Sequence, residues 1–264
     1  MIKIGDFMKK QYKKNAEVAA LAGKIMLESH AESYRVEDTV RRILQTSGLN
    51  ITEVVTNTTG LFLTLDDTDP SIEPITLVRR VSERGNHMRK IFRVNNISRE
   101  LTSGTIALED AYNKLMIIGD EEYTVFSKDL ATVVLVVSFV VLLGGNIWEI
   151  GISVVAGLII ALSRIGQEFI GMNPFIYGIF TTSLTAFIIP ILTSLSSHSI
   201  SSDIIIIAAL MPLYPGTAFT NAIRDMLKGD YNSGVARIAD ALVIAVSLAL
   251  GVATGLFLSS GVLS

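Results

Sequence analysis

The stretch PFIYGIFTTSLTAFIIPILTSL, Pro174–Leu195, decides the fold because it contains no charged side chain. About 20 consecutive, mostly apolar residues are needed to cross the hydrocarbon core of a bilayer. A helix on the surface of a soluble protein shows a polar face, which this stretch lacks. It therefore predicts a membrane-spanning helix.

Charged residues are divided unequally between the two halves of the chain. Residues 1–128 hold 18 of the 22 Lys and Arg residues and 18 of the 25 Asp and Glu residues. This division predicts two regions in two solvents. We expect an α+β N-terminal cytosolic domain at 1–128 and an all-α transmembrane bundle of about five helices at 129–264. The predicted spans are about 130–145, 148–163, 174–195, 200–214 and 239–258.

The polar half mixes helical and alternating patterns. Apolar residues recur at helical spacing through 15–48, with a break expected near Glu32–Ser33. Alternating or β-rich runs at 51–56, 60–65, 76–81 and 90–94 predict strands. Residues 97–102 and 105–117 return to helical period. The pattern indicates one small antiparallel sheet packed by helices.

The cations predict the orientation in the membrane. The N-terminus lacks the apolar core of a signal peptide, so the first domain is expected in the cytosol. Five spans then place all the cations that flank them on the cytosolic side: Lys128, Arg164, Arg224, Lys228 and Arg237. The predicted outer loops contain no Lys or Arg, in agreement with the positive-inside rule.

Polar residues near the membrane gather behind a proline-broken helix. Pro212 and Pro215 should interrupt a helix, and transporters build substrate sites at such breaks. Downstream residues on one helical face would bind substrate (Thr217, Asn221 and Arg224), and two acids would carry a coupling proton (Asp225 and Asp240). Alternatively, the segment that contains Arg224 and Asp225 is an ordinary salt-bridged cytosolic loop.

A second polar group lies in the first domain. The serine, histidine and acids near residue 33 could suggest a hydrolase, but they crowd into one helix without a nucleophile elbow. A role in gating or domain contact fits them better (Glu32, Ser33, Arg35 and Glu37). The chain has no cysteine, its three histidines are far apart, and it lacks a P-loop. No metal, cofactor or nucleic-acid partner is expected.

Three segments carry a resemblance to a known family. They are LESHAESYRVEDTVRRILQTSGL (Leu27–Leu49), RELTSG (Arg99–Gly104) with the helix after it, and PGTAFTNAIRDMLKGDYNSGVARIADAL (Pro215–Leu242). They resemble the threonine/serine exporter family of bacterial membrane proteins, and the resemblance extends over essentially the whole chain. It implies a multi-pass protein of the bacterial inner membrane.

The chain departs from the fused members of that family because it stops after one bundle. It resembles the larger subunit of the split form. That resemblance implies a small hydrophobic membrane partner of about 150 residues, and split systems are associated with succinate-like carboxylates. The leading hypothesis is a subunit of a secondary exporter of threonine, serine or a small carboxylate. The alternatives are a membrane-anchored hydrolase with its active site in the N-terminal domain, and a scaffold without a substrate path.

Overall fold

The chain folds into two compact units. The computed structural model describes residues 4–81, 85–118, 124–196 and 198–263, and only the backbone of residues 4–6. The first unit combines Met1–Asp120 with Thr217–Ile238, and the second combines Glu121–Gly216 with Ala239–Ser264. This division differs from the predicted boundary at residue 128, because residues 217–238 fold with the N-terminal residues.

The described residues form helices and one small sheet. The order is α1 (Ile4–Glu28), α2 (Ser33–Gln45), β1 (Ile51–Asn57), β2 (Gly60–Asp66), β3 (Ile75–Arg80), α3 (Met88–Thr102), α4 (Leu108–Ile117), α5 (Val125–Leu142), α6 (Ile147–Ile170), α7 (Pro174–Ser194), α8 (Ser202–Leu210), α9 (Gly216–Leu227) and α10 (Tyr231–Leu263). The expected break in the first helical stretch is confirmed, since α1 and α2 are separate helices.

The first unit has a core between α1 and an antiparallel sheet of order β1-β2-β3. The sheet turns Leu61, Leu63 and Leu65 inward, and α1 meets them with a run of small buried residues that includes Ala16, Ala19 and Ala20. Small side chains let the helix axis lie close to the sheet. The three strands predicted nearest β1, β2 and β3 are confirmed.

The predicted strand at 90–94 is wrong, because these residues belong to α3. Ile91, Val94, Ile97 and Leu101 are the buried residues that decide this, and their spacing of three or four is helical. The β-branched residues in the segment suggested a strand when it was considered alone. Packing of one helical face against the core overrides that local preference.

The second unit is helical and strongly apolar on its outside. Four of the described helices are long and apolar enough to cross a membrane: α5, α6, α7 and α10. Large side chains such as Leu142, Phe169 and Phe257 are more than three-quarters exposed, and such a surface is stable only in lipid or against another protein.

The predicted span at 200–214 contains a helix shorter than expected. Its helix, α8, contains only nine residues and ends at Leu210. Proline cannot donate a backbone hydrogen bond and its ring clashes with the preceding turn, so Pro212 and Pro215 stop the helix here. The described residues therefore contain four full-length apolar helices instead of the expected five.

Glycines let α10 approach α7 within the second unit. A Cβ atom at Gly251 would lie 2.0 Å from Thr182 Oγ1, and one at Gly255 would lie 2.3 Å from the carbonyl oxygen of Ser183. Thr182 Oγ1 also donates to Leu248 O across the pair, at 3.1 Å. The spacing Gly251-x-x-x-Gly255 is thus a close-packing motif in this helix pair.

Replacement of Gly255 by alanine should destabilise the second unit. The new methyl group would meet a backbone oxygen that cannot rotate away, so α10 must move from α7 at a cost of about 2 kcal/mol. We expect a lower thermal unfolding midpoint for the detergent-solubilised protein. Gly261→Ala, on the same helix with no atom within 4 Å of its Cβ position, is the matched control and should leave the midpoint unchanged.

Candidate functional site

The candidate site lies within the first unit, where the linker between α1 and α2 meets α9 and the start of α10. His30 in this linker has φ of +62°, a left-handed conformation that is uncommon for a residue with a side chain. Asn221 Nδ2 donates to the carbonyl oxygen of His30 at 2.8 Å. Arg237 Nη2 donates to the carbonyl oxygen of Ala31 at 2.9 Å. Side chains from the C-terminal half thus satisfy the backbone of this linker.

Asp225 caps the N-terminus of α2 from another part of the chain. The first N–H groups of a helix have no partner inside it, and Glu32 at the N-cap position makes no side-chain cap. Asp225 Oδ1 accepts a hydrogen bond from the backbone N–H of Ser33 at 3.0 Å, and Asp225 Oδ2 accepts one from the Ser33 hydroxyl at 3.3 Å. The carboxylate also faces the positive end of the helix dipole.

Arg237 completes a buried ion pair with Asp225. Its Nε lies 3.0 Å from Asp225 Oδ2, and the two side chains are 6% and 0% exposed. Burial raises the pKa of Asp225 above its usual value, and the nearby Asp230 adds to this, although Arg237 and Ser33 favour the charged form. Asp225 is therefore easier to protonate than a surface aspartate.

Glu32 is a buried residue of the same cluster, and its two arginine partners are partly exposed. Its Oε1 accepts a hydrogen bond from Arg224 Nη1 at 2.7 Å, and its Oε2 accepts one from Arg35 Nη1 at 3.1 Å. Burial alone would raise the pKa of Glu32, but a backbone hydrogen bond and the two arginines outweigh it and lower the pKa below its usual value. The surroundings of Glu32 therefore favour its charged form.

The hairpin between α9 and α10 sets the geometry of this cluster. Gly229 takes a φ of +90°, which allows the tight turn, and Asp230 Oδ1 accepts a hydrogen bond from Ser233 N at the start of α10. A Cβ atom at Gly234 would lie 2.9 Å from Ala222 O, so the two helices pack closely. This close packing brings Arg237 alongside Asp225.

The remaining predicted residues lie apart from the cluster. Thr217 is exposed and its hydroxyl donates to Asn86 Oδ1 at 3.0 Å. Glu37 Oε1 accepts hydrogen bonds from the N–H and hydroxyl of Thr56, so it ties α2 to β1. Asp240 is exposed and belongs to the second unit. The structure therefore unites Glu32, Ser33 and Arg35 with Asn221, Arg224 and Asp225, which the sequence placed in two different regions.

Sequence reasoning missed Arg237 as a member of this site. It counted Arg237 as a cation that orients the membrane helices. The sequence did contain a signal for it. Arg237 lies near the polar start of a long apolar helix, one hairpin after Asp225. No feature of the sequence predicted the left-handed conformation of His30.

The geometry argues against a nucleophilic role for Ser33. Its side chain is buried and its hydroxyl donates to a carboxylate that already pairs with Arg237. A catalytic serine needs a base that accepts its proton and an open path for the substrate. Ser33 is buried among the described residues, and the carboxylate that accepts from its hydroxyl is paired with Arg237.

Comparison with known proteins identifies the family. The family model described as "Putative threonine/serine exporter" matches residues 17–259. The chain belongs to this threonine/serine exporter family. The "Probable succinate transporter subunit YjjP" of Klebsiella aerogenes is 25% identical to this exporter-family chain over 227 residues, which cover 86% of the chain and 87% of that relative. No solved structure matches the chain with significance.

Loss of the buried carboxylate should leave Arg237 with an uncompensated charge. We expect Asp225→Ala to lower the free energy of unfolding by about 3–5 kcal/mol, because removal of one partner of a buried pair exposes the cost of burying the other. The double variant Asp225→Ala/Arg237→Met should lose clearly less free energy of unfolding than the two single variants lose in total.

Thermal unfolding of the solubilised full chain measures this cycle. Asp38→Ala is the matched control, because Asp38 pairs with Arg42 on the exposed surface of α2 and such pairs contribute little. Strict additivity of the two changes at the buried site would contradict the ion pair.

Proposed function

We propose that this protein is a subunit of a secondary exporter that moves a small amino acid or small carboxylate out of the cell. The observation that carries the proposal is the family match over residues 17–259, in a chain with four helices able to cross a membrane. The threonine and serine of the family description and the succinate in the relative's name share a carboxylate. A cation that holds this group is therefore the first requirement of the site.

Arg224 is the residue that we assign to the substrate carboxylate. Its side chain is 56% exposed, and among the described residues Glu32 holds its Nη1. The planar fork of an arginine suits a carboxylate and can bind it with two parallel hydrogen bonds. Thr217 lies about two turns before Arg224 on α9 and is also exposed. We assign it to a hydroxyl group of the substrate. Asn221 would hold the linker at His30 in position for both.

Asp225 is the residue that we assign to the coupling proton, with Asp240 as the further acid on this path. Protonation of Asp225 would neutralise the cap of α2 and leave Arg237 without its charge partner. The α1–α2 junction and the α9–α10 hairpin would then be held together less tightly. A proton would in this way change the contacts of Glu32, Ser33 and Arg35, which serve as the gate.

The connectivity of the two units supports five membrane crossings. The residues before 120 and residues 217–238 belong to one unit, and we place them on the same side of the membrane. Helices α5, α6 and α7 between them would provide three crossings, which is an odd number. A fourth crossing is therefore required, and the apolar stretch Ile200–Tyr214 around α8 supplies it. Helix α10 then crosses last.

The short fourth crossing favours a path that enters the membrane at the end of α8. A nine-residue helix rises about 14 Å, roughly half of the hydrocarbon thickness. Ile205, Ile206, Ala208 and Ala209 of α8 are buried, so protein shields this half-helix from lipid. Irregular backbone at membrane depth is tolerated only beside protein or a water-filled cavity. The break after Leu210 is where we place the inner end of the transport path.

The arrangement of cations supports a cytosolic location for the first unit. Lys128, Arg164, Arg224, Lys228 and Arg237 all fall on the side of the first unit under five crossings, in keeping with the positive-inside rule. At the same ends of α5 and α6, Arg164 binds Asp129 through two nitrogens at 2.8 and 2.9 Å and also contacts Glu168. We therefore place the protein in the bacterial inner membrane with its N-terminus in the cytosol. A separate small hydrophobic subunit of about 150 residues would complete the path.

Arg224→Ala should lower the efflux of the exported substrate at least about tenfold, because a charged hydrogen-bond pair with the substrate is lost. Arg224→Lys should restore only part of the rate, since lysine cannot form the two-pronged contact. Efflux of threonine, serine and succinate is measured in cells that carry this chain with its neighbouring membrane partner. Lys228→Ala, which removes a cation from the end of the same helix, is the control. Unchanged efflux in Arg224→Ala would refute the assignment.

Single introduced cysteines test the five crossings, because the chain has no cysteine of its own. Ser199→Cys and Ser260→Cys should react with a membrane-impermeant maleimide on intact cells. Gln45→Cys, exposed on α2, should react only after the cells are permeabilised. Labelling of Ser260→Cys only in permeabilised cells would show an even number of crossings and overturn the proposed path of α8.

A further inference from the structure

The outer face of the three-stranded sheet carries a row of exposed apolar side chains. Val55, Phe62 and Val78 are 60%, 43% and 55% exposed. They lie directly opposite one another across the strands, since Val55 pairs with Phe62 and Phe62 pairs with Val78. Aligned residues of neighbouring strands touch and form a continuous surface. Phe62 is at the centre of this apolar row.

Charges lie at two diagonal corners around the apolar row. On one side of the row, Glu53, Thr64 and Thr76 lie opposite one another on the three strands. On the other side, Asn57, Gly60 and Arg80 lie opposite one another. Glu53 therefore occupies one corner of a three-by-three grid and Arg80 the opposite corner. Within the described residues neither of these two exposed side chains forms an ion pair or a side-chain hydrogen bond. Each is available to a partner.

We infer that this sheet face binds the same face of a second copy of the chain. A two-fold axis that lies in the interface makes a patch contact itself. If the axis passes over Phe62 and bisects the line from Glu53 to Arg80, each Glu53 meets Arg80 of the other copy. The two phenylalanines then stack on the axis. One symmetry operation thus satisfies both charges and covers the apolar row.

The charge positions select this axis over the simpler alternatives. An axis along the strands would place Glu53 over Thr76 and Arg80 over Asn57. An axis across the strands would place Glu53 over Asn57 and Arg80 over Thr76. Both leave the charges without partners. The diagonal axis makes the strands of the two sheets cross steeply, as in the orthogonal class of sheet packing.

The size of the face indicates a weak interface that depends on the membrane. A three-stranded face is smaller than the surfaces that hold freely diffusing proteins together, which bury at least about 1,200 Å² in total. The long apolar helices confine the copies to one plane. Confinement raises the effective concentration of each face for the other, so a small interface is sufficient. This inference does not depend on which substrate is transported.

A cysteine at the symmetry axis tests the contact. Phe62→Cys should form a disulfide-linked dimer when membranes that contain the full chain are oxidised, because a residue on the axis meets its own copy. Phe92→Cys is the matched control, since Phe92 is a 64% exposed phenylalanine on α3, away from the sheet. Efficient dimer formation by the first variant only supports the inference. Equal yields from both variants, or a crosslink of Phe62→Cys to a different protein, would overturn it.

Charge reversal tests the orientation of the two copies. In the Phe62→Cys background, Glu53→Arg or Arg80→Glu alone should reduce the dimer yield about tenfold, because each change replaces two attractive pairs per dimer by repulsive ones. The double reversal should restore the yield. All four residues changed or crosslinked are exposed, so unchanged thermal unfolding midpoints can confirm that the variants fold. Unaffected yields in both single reversals would rule out the diagonal axis.

Discussion

The cap that Asp225 provides to α2 is the interaction on which the rest of the arrangement depends. It joins the unsatisfied N–H groups of one helix to a buried carboxylate nearly two hundred residues later in the chain. Neither partner is stable alone, because a helix start without a cap and a buried aspartate without donors both cost free energy. Arg237 and Ser33 remove that cost together. A segment that lies between membrane helices is thereby made part of the N-terminal unit.

This attachment constrains the membrane helices through the connectivity of the chain. Residues 217–238 belong to the same unit as the residues before 120, and under the proposed topology the helices between them cross the membrane an even number of times. The chain provides three long helices and one short one for this purpose. The short helix, α8, is shorter than α5, α6, α7 and α10. It directly precedes the segment that carries the buried cluster. In the proposed mechanism the substrate path begins where Pro212 and Pro215 stop this helix.

The cluster contains two carboxylates whose pKa values are shifted in opposite directions. The pKa of Glu32 is lowered by two arginines, whereas the pKa of Asp225 is raised by burial. A buried ion pair contributes little net stability compared with apolar packing, so its presence calls for another explanation than stability alone. Glu32 pairs with Arg35 and Arg224, and Asp225 pairs with Arg237; in the proposed mechanism these carboxylates couple protonation to movement of the α9–α10 hairpin. His30, in the linker between α1 and α2, has a left-handed backbone conformation. This conformation indicates a turn that the surrounding contacts hold in place.

The sequence by itself determined the membrane character, the α+β first half, three strands of the sheet and the family, because apolar length, residue periodicity and local motifs are all properties of short segments. It also indicated the residues of the cluster, but in two separate regions with separate roles. Only the tertiary structure decided that Glu32 and Ser33 meet Arg224 and Asp225, that Arg237 joins them, and that residues 90–94 are helical. These outcomes depend on which faces pack together and on where a buried charge finds its partner, and both are set by contacts between residues far apart in the chain.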